Sequence, residues 1–358
     1  MKKQRVTIKD IARIANVTPT TVSMALNGQP RVGAETRERI LEIAQRLGYQ
    51  PDFIARSLRG KRTYTIGMMI KNIADPFYPE LACGIGQAAQ ERGYDVILCN
   101  VGENQQDKAK TIHLLRARGV DGIISTVTLD QDGYLQTIVG ESMPFVAVVR
   151  TLRTSPFADR IDSVSVDNYT GGYRAIEHLY RLGHDRIGIV AGTLEASTGA
   201  DRTLGAEQAL RDHGLETPPE RILDCRFSRD KAGEGALRFL SLDHPPTAIF
   251  AEDDNMALGV REALLARGVR IPQDVGLIGF DDIDVAGLTG VDLTTINQKI
   301  YEMGALGVSV LLDKVEGLGP PRVQKIVLES KLVIRKTCGY PQRGYVRALP
   351  EEPLSRPM

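Results

Sequence analysis

The chain has 358 residues, 42% hydrophobic and 25% charged, enough to bury a sizeable core over two to three domains; a short peptide, a coiled coil and a disordered polymer are excluded. No run reaches the ~18–20 consecutive apolar residues of a membrane span, and the basic start has no apolar secretory core behind it, so a cytoplasmic protein without membrane contact is expected. The 45 basic and 45 acidic residues cancel overall but not locally: residues 1–63 hold 13 basic against 5 acidic side chains, a net of +8 that leaves −8 on the rest.

A small basic module on a mildly acidic body is the footprint of a protein that meets phosphate with one part only. Within that module, Thr7 and Asp10 have capping-box spacing, and Ile8, Ile11, Ala12 and Ala15 follow at helical intervals. Asn16 and Val17 interrupt this first helix. Thr18 followed by Pro19 starts a second one, with Val22, Ala25 and Leu26 on its inner stripe. Ile40, Ile43, Ala44 and Leu47 mark a third, stopped by Gly48. Three short helices with a tight break between the first two predict a helix-turn-helix, whose second helix turns Pro19, Thr20, Thr21, Ser23 and Met24 outward. Asp52 then caps a helix of under ten residues that ends at Gly60. A helix that short is marginal alone and is expected to form only against DNA and a second subunit. Leu58, flanked by Arg56, Arg59, Lys61 and Arg62, reads either as a wedge for a minor-groove base step or as a linker leucine packed on the body.

From Tyr64 onward, short apolar runs alternate with amphipathic stretches, as in a parallel sheet with helices on both faces. Strands are predicted at 65–70, 95–99, 122–125, 145–149, 186–190, 247–251 and 275–279. Helices are predicted at 79–92, 107–118, 169–182, 202–213, 255–267 and 300–315. About 275 residues exceed one doubly wound sheet, so two similar lobes are expected, breaking near 162–166; QERGYDVI (90–97) and YRLGHDRI (180–187) share one cadence. Ligands of such sheets bind beyond the carboxyl ends of strands. Those ends are polar here: Asp75, Phe77 and Tyr78 follow Ile70, Asp253 and Asp254 follow Phe250, and Asp281 and Asp282 follow Phe280. Carboxylates with aromatic faces and an arginine suit a sugar or nucleoside. Asp254 and Asp282 read better as caps of following helices.

The run VTIKDIARIANVTPTTVSMALNG (6–28), with TRER (36–39), LGYQP (47–51), Ala55, Arg56 and Ile66-Gly67, closely resembles the lactose-repressor (LacI/GalR) family. DPFY (75–78), GYDV (93–96), GVDGII (119–124), GHDRI (183–187), DDNMALG (253–259), PQDVGLIGFDD (272–282) and LTTI (293–296) extend the likeness through the body, to that family's periplasmic-binding-protein-like core. The resemblance implies an all-α helix-turn-helix domain at 1–50, a hinge helix and linker at 51–63, and an α/β two-lobed effector-binding and dimerisation core with parallel sheets at 64–340. Carried over by position, Pro19, Thr20 and Met24 read the major groove; Thr7, Thr21, Ser23, Asn27, Thr36 and Arg37 contact the backbone; Ala55, Arg56 and Leu58 enter the minor groove. Asp75, Phe77, Tyr78, Arg202, Asp253 and Asp281 hold a small-molecule effector, expected to be a sugar or a derivative. Members often carry Arg at the Met24 position, so a bidentate guanine contact is not expected there. Two further departures alter hydroxyl recognition: Val149 stands where many members have Asp, and Asp253 where Asn is common.

The implied function is a transcriptional repressor that binds a palindromic operator as a homodimer under effector control. An alternative is gating by a protein corepressor such as a phosphorylated carrier protein, and a more distant one is a ligand-binding component without DNA function. No enzyme activity, catalytic residue, metal or cofactor is expected. The five histidines are scattered, no Cys spacing is of a metal or redox kind, and GIGQAA (84–89) falls inside a helical run instead of after a strand. The four cysteines are expected as separate buried thiols. The tail at 341–358, with four prolines and no leucine heptad, is expected to be disordered, which favours a dimer over a tetramer.

Overall fold

The computed structural model describes residues 6–26, 30–49, 62–102, 105–127, 134–140, 143–152, 155–216, 218–340 and 344–348. The chain divides into two units, Met1–Thr63 and Tyr64–Met358.

In the first unit, α1 (Ile8–Ala15), α2 (Pro19–Leu26) and α3 (Ala34–Arg46) close on Ile11, Ala12, Ala15, Val22, Ala25, Ile40, Ile43 and Ala44, all buried. The start of α1 is tied as its sequence predicts: the Thr7 N–H and hydroxyl both donate to the Asp10 carboxylate, at 2.9 and 2.7 Å. Asn16 takes the left-handed conformation, φ 50°, that ends α1 and lets α2 begin at once. Thr18 starts α2, its hydroxyl accepting from the Thr21 N–H at 3.1 Å. Arg39 of α3 donates to the Ala15 carbonyl at 3.1 Å, placing a cation at the negative end of α1.

The second unit holds two lobes. In the first, β1 (Thr65–Ile70), β2 (Asp95–Asn100), β3 (Gly122–Ser125), β4 (Phe145–Val148), β5 (Asp162–Val166) and β11 (Lys325–Leu328) form one parallel sheet in the order β11-β5-β4-β3-β1-β2. In the second, β6 (Ile187–Ala191), β7 (Ile222–Asp224), β8 (Ala248–Ala251) and β9 (Gly276–Ile278) are parallel in the order β7-β6-β8-β9. An antiparallel pair, β10 (Thr295–Asn297) with β12 (Lys331–Val333), joins this lobe through bridges from Ile278 to Thr294 and Asp281 to Asn297. Helices α4 (Phe77–Glu91), α5 (Gln105–Ala117), α6 (Tyr134–Gly140) and α11 (Ile300–Glu316) belong to the first lobe, and α7 (Asn168–Arg181), α8 (Ser197–Asp212), α9 (Arg229–Leu240) and α10 (Asp254–Ala266) to the second. Central strands such as TIGMMI, FVAV and IGIVA are apolar without alternation because helices cover both faces.

Several expectations are corrected. The break expected near 162–166 coincides with β5, after which the chain first changes lobe, but the lobes are not two consecutive halves: the chain crosses again after β10 and after β11. Residues 344–348 of the tail are packed and not disordered. The Val346 N–H donates to the Arg181 carbonyl at 2.9 Å, and the Tyr345 hydroxyl lies 3.0 Å from His178 Nδ1. Cys225 and Cys338 are buried free thiols as expected, whereas Cys83 is exposed. The glycines of GIGQAA do lie inside a helix, α4, and Gly84 has a packing reason: a Cβ there would come within 2.2 Å of the Tyr301 carbonyl oxygen on α11. Among the described residues, no helix is long and apolar enough to cross a membrane.

Candidate functional site

The first unit places Pro19 and Thr20 on the exposed face of α2, with Thr21, Ser23 and Met24 half-buried along it. Met24 also packs against the three-helix core, so its side chain is partly held before any ligand arrives. Thr7 is exposed at the start of α1, and Thr36 and Arg37 are half-buried at the start of α3. Asn27, Ala55, Arg56 and Leu58 lie outside the described residues.

In the second unit the chemistry gathers where the sheet strands end. Lys71 and Asp75 follow β1, Phe77 and Tyr78 open α4, and Val149 and Arg150 follow β4. From the other lobe come Thr198 and Arg202 of α8, Phe227 after β7, Asp253 after β8, Asp281 after β9 and Gln298 after β10. These side chains line one cavity of about 430 Å³, a figure that includes its open mouth. All six residues predicted for an effector, Asp75, Phe77, Tyr78, Arg202, Asp253 and Asp281, are among them.

Arg202 organises the floor. It is 3% exposed, donates through Nε to Asn168 Oδ1 at 2.8 Å and through Nη1 to the Glu252 carbonyl, lies 3.7 Å from Asp281 Oδ1, and sits 3.7 Å above the Phe280 ring. Gly172 of α7 permits this placement, since a Cβ there would come within 2.1 Å of the Arg202 carbonyl oxygen. Around this one buried guanidinium stand Glu252, Asp253, Asp254 and Asp281, none more than 5% exposed. Burial, with repulsion among them, drives these carboxylates toward the neutral form. Glu252 is pushed up to about 7, Asp253, facing Asp75, to about 7, Asp254 to about 6, and Asp281 well above the usual range against the pull of Arg202. Desolvation also raises Asp75, and it raises the Tyr78 phenol to about 12. The backbone around the cavity is itself unusual: Val149, Phe227 and Asp281 have φ of 76°, 56° and 131°. A β-branched residue held at positive φ is a genuine outlier, of the kind that clusters at ligand clamps.

The capping expectation is corrected within this cluster. The cap of α10 is Asp253, whose carboxylate accepts from the Met256 N–H at 2.5 Å, and not Asp254. Asp254 instead ties the second lobe together, accepting from the Thr295 hydroxyl at 2.6 Å and the Ile283 N–H at 3.0 Å. Asp282 caps no helix either; it pairs with Arg335 at 2.6 Å and accepts from Asn297 at 2.7 Å.

Comparison with known proteins decides the family. The family model described as bacterial regulatory proteins, lacI family, matches residues 7–52, and the one described as periplasmic binding proteins and sugar binding domain of LacI family matches residues 63–334. The chain belongs to the LacI family. A curated relative, the HTH-type transcriptional repressor PurR of Haemophilus influenzae, is 34% identical over 92% of this chain and 98% of its own. Among solved structures, the lac repressor dimer bound to operator and the anti-inducer ONPF superposes with a TM-score of 0.83 at 27% identity, covering 94% of this chain and 99% of that one. The transcriptional regulator CelR in its cellobiose complex gives 0.71 at 29% identity, covering 93% and 100%.

The sequence of this LacI-family chain had pointed to Val149 as well, but not to five of the twelve lining residues: Lys71, Arg150, Thr198, Phe227 and Gln298. Lys71 and Arg150 were findable, because each closely follows a strand whose end the apolar pattern marks. Phe227 and Gln298 follow β7 and β10, strands of three residues that leave no such mark.

Proposed function

We propose that this LacI-family protein is a transcriptional repressor that binds a palindromic operator as a homodimer and is released or retained there by a small molecule, a sugar or related metabolite, in the cleft between the two lobes. In this reading residues 1–50 are the reading head, 51–63 the hinge and 64–340 the effector-binding and dimerising core. Pro19, Thr20 and Met24 face base edges; Thr7, Thr21, Ser23, Asn27, Thr36 and Arg37 face phosphates; Ala55, Arg56 and Leu58 enter the minor groove. The observation that carries the effector half is the convergence of six predicted side chains, three from each lobe, on one cavity at the strand ends. The operator in the lac repressor structure and the cellobiose in the CelR structure support the two ligand classes. A ligand touching both lobes has different contacts when the lobe angle changes, which is the differential affinity that regulation requires. Gating by a carrier protein has no observation in its favour.

The test is operator selection from random duplexes with the full chain, followed by anisotropy titrations with sugars, sugar derivatives, nucleosides and purines. One palindromic sequence, bound by two chains and shifted in affinity by one ligand class, is expected. Binding that stays equally tight on scrambled duplexes, or selection of a site without two-fold symmetry, overturns the reading.

A further inference from the structure

The cleft floor is built from acceptors. Arg202 is engaged by Asn168, the Glu252 carbonyl and Asp281, and its face is covered by Phe280. Asp281 has Arg202 3.7 Å away and Asp75 has Lys71 nearby, whereas Asp253 is repelled by Asp75, from the opposite lobe, more than it is drawn by Arg202. Asp253 is 5% exposed and accepts the helix-capping bond from the Met256 N–H. Lys71 lies 5.6 Å over the Phe227 ring, at a half-buried position.

Gln298 adds an independent observation. Its side chain is 1% exposed, and its Nε2 donates to Asp281 Oδ1. The Oε1 atom is left buried without a hydrogen-bond partner, on a residue that lines the cavity. An orphaned buried acceptor is costly, and a ligand donor is what relieves it. The cavity thus presents Asp75, Asp253 and Gln298 Oε1, beside Lys71 and Arg150, to whatever enters. A hydroxyl offers one donor and no charge, whereas an ammonium offers three donors, no lone pair and a positive charge.

We propose that the effector of this protein carries a protonated amine on a hydroxylated frame, an amino sugar or a related amino polyol, with the amine at the Asp75, Asp253 and Gln298 end of the cleft. The inference rests on the reading of the cleft as the effector site and narrows it.

Asp253→Asn isolates the charge. An Asn side-chain oxygen still caps α10, so folding is retained while the carboxylate is lost. Calorimetric titration of the full chain compares matched probes: glucosamine with glucose, galactosamine with galactose, and the 6-phosphates of both neutral sugars. At least one amine is expected to bind tenfold or more tighter than its hydroxyl partner, with that preference falling below threefold in Asp253→Asn. Equal or tighter binding of the hydroxyl partners, binding of a 6-phosphate in preference, or no binding by either amine overturns the inference. Asp281→Asn separates the two levels. A neutral or phosphorylated probe that binds the wild type and loses binding in Asp281→Asn leaves the cleft as the effector site and removes only the amine. A probe whose binding ignores both Asp281→Asn and Asp253→Asn removes the effector-site reading itself.

Discussion

Replacing Arg202 by Met tests the electrostatic account of the cleft floor. Met matches the length of the arginine stem but removes the donors to Asn168 and the Glu252 carbonyl, the charge 3.7 Å from Asp281, and the stacking on Phe280. Loss of one partner from a buried ion pair costs about 3–5 kcal/mol, because the other charge stays behind without compensation. For a unit of this size that is roughly 6–10 °C in Tm. Asp281 has an escape route, since burial already pushes its carboxyl toward the protonated form and removal of Arg202 pushes it further. The cost of Arg202→Met is therefore largest at pH 8, where protonating Asp281 is expensive, and shrinks by pH 5.5. Adding Asp281→Asn to Arg202→Met removes the stranded charge and is expected to recover at least half of the loss. Urea unfolding of the wild type, the single variant and the double variant at both pH values measures each quantity. A loss below about 1 kcal/mol for Arg202→Met, or a double variant no more stable than the single one, refutes the reasoning.

Two further outcomes follow from the same structure and a third from the proposed DNA contacts. Glu252 and Asp253, pushed up to about 7, and Asp254, to about 6, hold protons in the folded chain that the unfolded chain has released. The stability they contribute is present below pH 4 and lost as pH rises through 6 to 7, by up to ~1.4 kcal/mol per pH unit for each proton. A core more stable at pH 8 than at pH 6 in urea titrations contradicts that sign. Gly84→Ala puts a methyl group 2.2 Å from the Tyr301 carbonyl oxygen, a backbone atom that cannot rotate aside; a loss of about 1–3 kcal/mol is expected by thermal unfolding, and an unchanged Tm argues against the close α4–α11 approach. At the DNA face, Leu58→Ala is expected to weaken operator binding far more than nonspecific binding, while Arg37→Ala lowers both and flattens the salt slope by about 1. Anisotropy across a salt series separates them, and an operator affinity indifferent to Leu58→Ala removes the wedge.

The parts of the fold legible in the sequence are those whose signal is local. β1 and β3 were bounded to the residue, because a two-sided buried strand is a compact apolar run with polar ends. The helix-turn-helix was equally plain, since Asp10, Asn16, Thr18 and Pro19 each have one conformational use there. What stayed hidden is non-local. β11 is an edge strand of alternating exposure whose partner β5 lies some 160 residues earlier, and nothing near residue 325 announces the return to the first lobe. The first crossing, expected near 162–166, falls right after β5, whereas the two later crossings have no local signal for that reason. In the site, strand-end logic led to the carboxylates, and the family resemblance to Arg202, but Asp253 and Asp254 were left with exchanged structural roles. Adjacent aspartates on one turn differ only in which way their side chains leave the backbone, and that is set by Met256, Thr295 and Ile283.

The central claim is that occupancy of the cleft and grip on the operator are one equilibrium. Its most direct test measures effector affinity by calorimetry on the free full-length protein and again on the protein saturated with its selected operator, alongside operator affinity with and without effector. Linkage requires the two ratios to agree. The account predicts a common factor of about 5–150, abolished by Asp281→Asn. Identical effector affinity in the free and operator-bound protein contradicts it.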